Sequence, residues 1–329
     1  MRFLLLAITA MAVPVAAPAA DVINYLPADT DAVMTIQVRP LTESELMYKV
    51  GADLLKQALR ASKPAAAAVE ATGLDPLKAF ERITVGMNLD QTNPPKPFAL
   101  FEGKFDVKKV EDSITAYMKA HPEKVSAVTL DGKSAYKLPG GKPTDAMYAA
   151  IIDDTKIVVA PSEQDLKGAF AAAAHRRKPV ISREFANLMA TARSNAPIFV
   201  RAWVKGKFDN LNLPNEKLKQ RIQAIDWATA AVAVGKDVTL TVTVSAPDAA
   251  AAQQLSDLLG GLVGLMKLQF VAAAEDQPEL QPVADLLRTA KVAPSGKMVV
   301  AVGTAKASSI EKALNPPPPD PKPVPKKKK

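Results

Sequence analysis

KIVVA at Lys156–Ala160 and KMVVA at Lys297–Ala301 are near copies of each other in corresponding places of the chain, and they are the strongest indication of how the protein is built. Each is a short run rich in β-branched residues, which predicts a strand. Each leads into a predicted helix, SEQDLKGAF after the first copy and SSIEKAL after the second. We therefore expect one structural unit to have been used twice. The alternative is a chance likeness between two common layouts of helices and strands.

Outward from these copies, alternating patterns give both halves the same order of elements. VMTIQVR (Val33–Arg39) alternates apolar and polar side chains, and the second half begins with PIFVRAWV (Pro197–Val204). Such alternation predicts half-buried strands. Each half is predicted to run strand, helix, strand, strand, helix, strand, with an additional hairpin in the first half. This is the order of the split βαβ unit. We therefore predict an α+β fold of two tandem ferredoxin-like modules, whose antiparallel sheets are covered by helices on one face.

The chain begins with the features of an export signal. Arg2 precedes an apolar region at Phe3–Val13, and the small residues Ala17 and Ala19 predict cleavage after Ala19. The alternative is a leader that is retained as an anchor. We predict four segments, namely a signal peptide at 1–19, a first module at 20–178, a second module at 179–314 and a Pro/Lys-rich disordered tail at 315–329. The protein is expected to be exported, and therefore periplasmic or secreted.

The composition is that of a globular protein and narrows the possible chemistry. The chain has 329 residues, of which 48% are hydrophobic and 23% charged, and it has no cysteine. The missing thiols exclude disulfides, cysteine catalysis, cysteine-ligated zinc and lipid attachment at a lipobox. The only histidines are His121 and His175, so a metal site would consist almost entirely of carboxylates. We expect no metal, no cofactor and no catalytic residue.

The positive charge is concentrated at the C-terminus. The formal net charge is +8, of which one charge belongs to Arg2 and a net of four to the tail, leaving +3 on the body. Prolines favour an extended polyproline II spacer, and the tail carries five lysines, namely Lys322, Lys326, Lys327, Lys328 and Lys329. We expect these lysines to bind an anionic envelope surface or another polyanion, and no specific nucleic acid. The alternative is an unstructured, solubilising end.

One long apolar run lies in the second half of the chain. LLGGLVGLMKLQFVAAA is interrupted by Lys267, and we predict no transmembrane segment in the mature chain. An apolar stripe at helical spacing runs from Leu255 to Phe270, through Leu258, Leu259, Leu262 and Met266. Gly260 and Gly264 form a G-x-x-x-G spacing. In a soluble protein we interpret this spacing as allowing a helix to pack closely on a sheet.

The residues after the leader resemble a known family. YLPADTDAVMTIQVRPLTESEL from Tyr25, followed by TGLDPLKAFERITVGM, is similar to exported bacterial proteins best represented in planctomycete-type genomes. Members share an LP-D-T-x-x-V opening and a G-x-D-P turn before a strand. The resemblance spans 25–106 and continues beyond it mainly as a similar layout. It implies an exported protein of unknown function, and it supplies no catalytic residue.

Patterns associated with catalysis or metals are better explained as structure. Ser134 and Lys137 fit the S-x-x-K pattern of serine acyl-transfer enzymes, but their segment alternates like a strand, which places them on opposite faces. Asp153-Asp154 lies between two predicted strands and is interpreted as a turn. His175-Arg176-Arg177-Lys178 follows a helix, where cations suit the helix dipole. We expect that end to be solvated, with anion binding as the alternative.

The tetrapeptide GKFD occurs at Gly103–Asp106 and again at Gly206–Asp209. The first copy follows a predicted third strand and the second follows a predicted first strand, so the copies are out of register with the duplication. We interpret both as strand exits, in which glycine permits a turn and aspartate caps the next element.

Three functions remain open from the sequence. We favour an exported, non-catalytic binding or structural protein of the periplasm or cell envelope. The alternatives are an exported hydrolase with a site built from distant residues, and a chaperone-like or inhibitor module that binds another protein through a sheet face or edge. A deep pocket with convergent polar groups would favour the enzyme, whereas an exposed apolar patch would favour the binding protein.

Overall fold

A computed structural model describes residues 19–61, 69–90, 96–139, 145–209 and 216–314 of the chain. Ala19, after which cleavage is predicted, is therefore the first described residue, and the rest of the predicted signal peptide lies outside the described ranges. The predicted tail at 315–329, with Lys322 and Lys326 to Lys329, also lies outside them.

The described strands join into one antiparallel sheet of twelve strands. In chain order the strands are β1 (Ala32–Gln37), β2 (Phe80–Met87), β3 (Phe98–Gly103), β4 (Ser126–Leu130), β5 (Lys133–Leu138), β6 (Met147–Asp153), β7 (Lys156–Ala160), β8 (Ile198–Trp203), β9 (Trp227–Val234), β10 (Asp237–Ser245), β11 (Lys291–Ser295) and β12 (Met298–Lys306). Across the sheet the order is β11-β12-β10-β9-β8-β1-β2-β3-β7-β6-β5-β4. The mixture of helices with an antiparallel sheet is an α+β fold.

The described helices precede, connect and follow these strands. They are α1 (Ala19–Tyr25), α2 (Val38–Thr42), α3 (Glu45–Ala61), α4 (Pro76–Ala79), α5 (Val107–Ala120), α6 (Glu163–Ala173), α7 (Arg183–Thr191), α8 (Glu216–Gln223), α9 (Ala249–Asp276), α10 (Gln281–Thr289) and α11 (Ala307–Leu314), with a 3₁₀ turn at Pro278–Leu280.

The two near-identical pentapeptides occupy equivalent places in the sheet. β1 and β8 pair with each other at the centre. From there the first half runs outward as β1-β2-β3-β7 and the second as β8-β9-β10-β12. β7, which contains KIVVA, pairs with the third strand β3, and β12, which contains MVVA of the second copy, pairs with the third strand β10. The four strands nearest the centre are thus arranged in the same way on both sides, whereas β6, β5 and β4 lie outside β7 and β11 alone lies outside β12.

The two ferredoxin-like modules are not confirmed. In a split βαβ unit another strand separates the two strands joined by the first crossover helix. Here β1 and β2 pair directly and antiparallel, and so do β8 and β9. The periodicity of the sequence identifies strands. A connection that contains a helix can nevertheless join two neighbouring strands of the sheet as well as two distant ones. The sequence pattern therefore did not determine the pairing.

The prediction that helices cover one face is wrong, because helices lie on both faces. Val158 packs in a core with residues of α1, α6 and α7, whereas the preceding residue, Ile157, packs in a cluster with Val110 and Ile114 of α5. Consecutive strand residues point to opposite faces of a sheet. We call the face with Val158 the α7 face. Following the paired residues across the sheet places Val299, on which α9 packs, on the same face as Ile157, which we call the α9 face.

Local signals account for several element boundaries. Asp131 and Gly132 both have positive φ, as a type I′ hairpin requires between β4 and β5. Asp106 caps α5 by accepting from the N–H of Lys109, and Ser162 caps α6 by accepting from the N–H of Asp165. α3 starts at Glu45, where the Ser44 hydroxyl accepts from the N–H of Met47.

The largest core joins the two halves on the α7 face. It contains Leu26 just after α1, Phe98 of β3 and Phe185 of α7, all essentially inaccessible to solvent. α7 lies after the predicted boundary at 178, yet its side chains pack with those of the first half. The boundary between the modules remains a prediction.

Candidate binding surface

The long helix α9 is held to the sheet at its N-terminal end. Asp248 caps the helix by accepting from the N–H of Ala251 at 2.8 Å. Ala252 and Leu255 are buried in a core with Val299 of β12. These contacts fix the first turns of α9 on the α9 face.

The middle of α9 is apolar and exposed to solvent. In the segment Gly260–Gln269 every residue except Val263 is exposed, and we call this stretch the α9 apolar segment. Its large side chains are exposed by 38% (Leu262), 66% (Leu265), 43% (Met266) and 74% (Leu268). Large apolar residues exposed together mark interaction surfaces in soluble proteins.

The predicted role of the glycines in this region is wrong. A Cβ atom built on Gly260, Gly261 or Gly264 would have no neighbour within 4 Å, so the G-x-x-x-G spacing does not allow close packing on the sheet. The predicted apolar stripe is buried only in its first half, because Leu255 is covered whereas Leu262 and Met266 are exposed. Helical spacing shows that side chains share a face, but it does not show that another element covers that face.

The C-terminal end of α9 returns to the folded body. Ala274 is buried, and α9 contacts α10 and the 3₁₀ turn at Pro278–Leu280 that connects the two helices. By length and composition Ala249–Glu275 is apolar enough to cross a membrane, and very little of its most apolar part is buried against the rest of the protein. Since both ends of α9 contact the folded part of the protein, the exposed α9 apolar segment lies between two packed ends of one helix.

Ser134 and Lys137 lie on opposite faces of β5, as predicted. Ser134 pairs with Thr129 of the neighbouring strand and Lys137 pairs with Ser126. An S-x-x-K site requires a helix that brings the lysine one turn from the serine. These two residues therefore do not form such a site with each other.

The predicted turn at Asp153-Asp154 is confirmed. Asp153 ends β6, and its carboxylate accepts hydrogen bonds from the N–H and the hydroxyl of Thr155. Its other oxygen lies 3.7 Å from the ammonium of Lys156. Among the described residues, no group of three or more His, Cys, Asp or Glu side chains is placed to hold a metal ion.

The two histidines occupy helix ends. His121 is the C-terminal capping residue of α5 and lies against the ring of Tyr117, with the ring centroids 4.7 Å apart. His175 has a φ of 54° in the turn after α6. No described contact pairs either histidine with a serine, as a hydrolytic triad would require.

Arg177 departs from the solvated helix end that the sequence predicted. Its guanidinium turns inward and donates to the carbonyl of Leu26 at 3.2 Å. Burial lowers the pKa of Arg177, and nearby Asp165 acts in the opposite direction. A Cβ on Gly168 would lie 2.3 Å from Nη1 of Arg177, so the glycine provides the space for this arginine.

A cleft of about 380 Å³ lies between α8 and the start of α9. Its polar lining consists of Gln220, Arg221, Gln254 and Ser245. The Ser245 hydroxyl already accepts from the N–H groups of Asp226 and Trp227. This lining includes neither a carboxylate nor a histidine, so it does not supply the acid and base of a hydrolase.

Comparison with family models, with curated proteins and with solved structures gives no match. The α9 apolar segment is thus identified from its own geometry. The sequence carried a signal for it, since Lys267 is the only charged residue between Leu258 and Phe270. A helix without a polar face is covered on all sides or inserted into an apolar medium.

Proposed function

We propose that this is an exported, non-catalytic protein of the cell envelope that binds the surface of a lipid membrane through the α9 apolar segment. The observation that carries this proposal is the exposure of Leu265 and Leu268 in a helix section with no polar face. A protein partner with one docking groove would cover one side of such a helix, whereas lipid chains can surround it. The family resemblance of the mature N-terminus supports export.

Peripheral insertion fits this geometry better than a transmembrane span. A spanning helix places its two ends on opposite sides of a membrane, but both ends of α9 contact the same folded body. The exposed stretch of ten residues is about 15 Å long at ~1.5 Å per residue. This is about half of the ~30 Å hydrocarbon thickness. Lys267 can extend its ammonium to the headgroups while its methylenes remain among the chains.

The expected affinity is weak and reversible. Full burial of a leucine or methionine side chain is worth roughly 1.5–3 kcal/mol, so the exposed parts of Leu262, Leu265, Met266 and Leu268 together supply on the order of 4 kcal/mol. Stable membrane attachment takes a second signal besides a single apolar insertion. The lysines predicted at the tail tip provide one, at about 1 kcal/mol each near an anionic surface.

Vesicle sedimentation of the mature chain tests the proposal. We expect binding to vesicles of phosphatidylcholine with 30% phosphatidylglycerol, and weaker binding to phosphatidylcholine alone. Replacing both Leu265 and Leu268 by glutamine keeps the helix propensity and removes most of the exposed apolar area. The affinity should then fall by about tenfold or more, which corresponds to ~1.4 kcal/mol per factor of ten.

Tyr48→Gln is the matched control, because Tyr48 is also on a helix and is 90% exposed. This variant should bind as the wild type does. Equal binding by the double leucine variant would contradict the proposal. Association of the wild type into dimers that the double variant loses, without vesicle binding, would show instead that a second copy covers the segment.

We also propose that the two halves descend from one module used twice. The equivalent positions of β7 and β12, and the echo between KIVVA and KMVVA, support this. The module would be a meander of three strands followed by a helical excursion and a closing strand, in place of the predicted split βαβ unit.

A further inference from the structure

Arg201 is a buried cation without a carboxylate partner in the described part of the chain. It lies on β8, is 8% exposed, and faces the α7 side of the sheet beside Val33. Its Nε donates to the carbonyl of Ala192 at the end of α7, 2.7 Å away, and its Cζ lies 4.3 Å from the ring centroid of Phe199. Burial lowers the pKa of Arg201 to about 10, so the side chain remains charged at neutral pH.

The other inward-facing arginines have an acidic group nearby. Arg82 forms a two-pronged pair with Glu102, with nitrogen–oxygen distances of 2.6 and 2.8 Å. Arg177 has Asp165 in its electrostatic surroundings. Guanidinium carries five N–H donors, and the bond to Ala192 uses one of those of Arg201. An uncompensated buried charge is costly, so the four remaining donors call for an explanation.

Those donors are open to a ligand. The two terminal nitrogens of Arg201 make no hydrogen bond to a described residue. Among the described residues, three side-chain polar atoms are both inaccessible to solvent and without a hydrogen bond, namely Thr84 Oγ1, Tyr117 OH and Arg177 Nη1. The terminal nitrogens of Arg201 are not among these atoms. They therefore keep some contact with solvent.

The surroundings of Arg201 combine aromatic rings with a hydroxyl. Trp203 follows two residues later on the same face and pairs directly with Trp227 of β9, and Arg201 pairs with Thr229. Both tryptophans are partly exposed, and they are the only tryptophans in the chain. Beyond them the α7 face continues with alanines on β9 and with threonines on β10, and no described helix makes an extensive contact with either strand.

We propose that Arg201, Trp203, Trp227 and Thr229 form a binding site for an acidic sugar. The planar guanidinium is suited to a carboxylate, which it can bind through two parallel hydrogen bonds. A tryptophan ring offers a flat apolar surface with which the C–H face of a pyranose can pack. An exported protein of the envelope meets such uronates in surface polysaccharides. The site is separate from the α9 apolar segment and does not depend on membrane binding.

Tryptophan fluorescence tests the proposal directly, because both emitting residues are in the proposed site. Sodium glucuronate is titrated into the mature protein at constant ionic strength, with glucose, phosphate and sulfate as separate arms. We expect a saturable change with glucuronate, no change with glucose, and at least tenfold weaker responses to phosphate and sulfate. A similar response to glucose, or equal responses to all three anions, would overturn the assignment.

Two variants separate the sugar site from a structural role of the arginine. Arg201→Lys keeps the charge but loses the planar fork, and its glucuronate affinity should fall at least tenfold with circular dichroism unchanged. Arg193→Gln is the control, because Arg193 is exposed and donates to the carbonyl of Ala190 in the same helix end, and this variant should bind as the wild type does. If the Arg201→Lys protein does not fold, the relative responses of the wild type to glucuronate, glucose, phosphate and sulfate test the proposal by themselves. Unchanged affinity in a folded Arg201→Lys protein would refute the site.

Discussion

Gly103 opens the first GKFD tetrapeptide at a point where the C-terminal end of α4 approaches its backbone. A Cβ added there would lie 2.0 Å from the carbonyl oxygen of Ala79 and 3.1 Å from the ring of Phe105. We expect Gly103→Ala to destabilise the protein by ~1–3 kcal/mol, as overpacking does, measured by urea unfolding. Gly235→Ala is the control, because a Cβ at Gly235 meets nothing within 4 Å, and it should change stability little. The second copy differs, since Gly206 has a φ of 75° in an open turn.

Asp285 is a buried carboxylate that ties together α10, β12 and α11. It accepts hydrogen bonds from the hydroxyl of Ser309, the N–H of Lys306 and the guanidinium of Arg288. Burial alone would raise the pKa of Asp285, but these hydrogen bonds lower it overall. A carboxylate with a lowered pKa stabilises the fold above its unfolded pKa of about 3.9 and loses that effect as the pH falls through the folded value.

We therefore expect Asp285→Ala to lower the free energy of unfolding by ~1–3 kcal/mol at pH 7, the cost of leaving buried donors unsatisfied. The difference from the wild type should persist at pH 5 and shrink below about pH 4. Urea unfolding across this pH range measures it. Asp257→Ala, at an exposed position on α9, should have a small effect. A difference that grows towards low pH would show that the sign assigned to the pKa shift is wrong.

The positions of helices and strands were predicted well where apolar residues recur at a regular spacing. The prediction was poor where the structure depends on which elements pack against each other. Alternation located β1 and β8, the aspartate of the first GKFD located the start of α5, and the segment SEQDLKGAF was correctly predicted as a helix. The same patterns contain no information about which strands are neighbours, so the split βαβ order was not confirmed. α7 is short and follows the sequence HRRKP, and its nine residues were not recognised.

The candidate surface on α9 shows the same limit. Spacing identified an apolar stripe, and the usual interpretation of a stripe is a buried face. Its second half is exposed because α9 extends past the residues that cover its first turns. The Arg201 site was not found from the sequence either, because its members come from β8 and β9 and meet only through strand pairing.

The glycines of α9 provide a direct test of this geometry. Because Gly260 and Gly264 face open space, alanine at both positions gains helix propensity without a clash, at up to about 1 kcal/mol per residue. We expect the double variant Gly260→Ala/Gly264→Ala to unfold at a higher urea concentration than the wild type. A loss of stability would mean that these glycines are packed against another part of the protein, as the sequence had indicated.

The sheet is continuous, but the predicted boundary between the two halves of the sequence does not coincide with a boundary between hydrophobic cores. The equivalent halves meet at β1 and β8, while Phe185, Leu188 and Met189 of α7 complete the core of the first half. The predicted boundary at 178 separates this helix from the core that it covers. A unit that folds by itself needs its own buried core, so the position of the cut should decide whether the first half is stable.

We predict that a fragment 20–194, which includes α7, is more stable than the fragment 20–178. Phe185, Leu188 and Met189 are nearly inaccessible to solvent, and at roughly 1.5–3 kcal/mol for each buried side chain their loss removes on the order of 5 kcal/mol. That amount is comparable with the entire stability of many domains. Thermal unfolding followed by circular dichroism should therefore show a cooperative transition for 20–194 and none, or one at much lower temperature, for 20–178. The variant Phe185→Ala in the longer fragment should fall between the two. Equal melting temperatures of the two fragments would mean that α7 does not stabilise the first half, and this result would support the predicted boundary at 178.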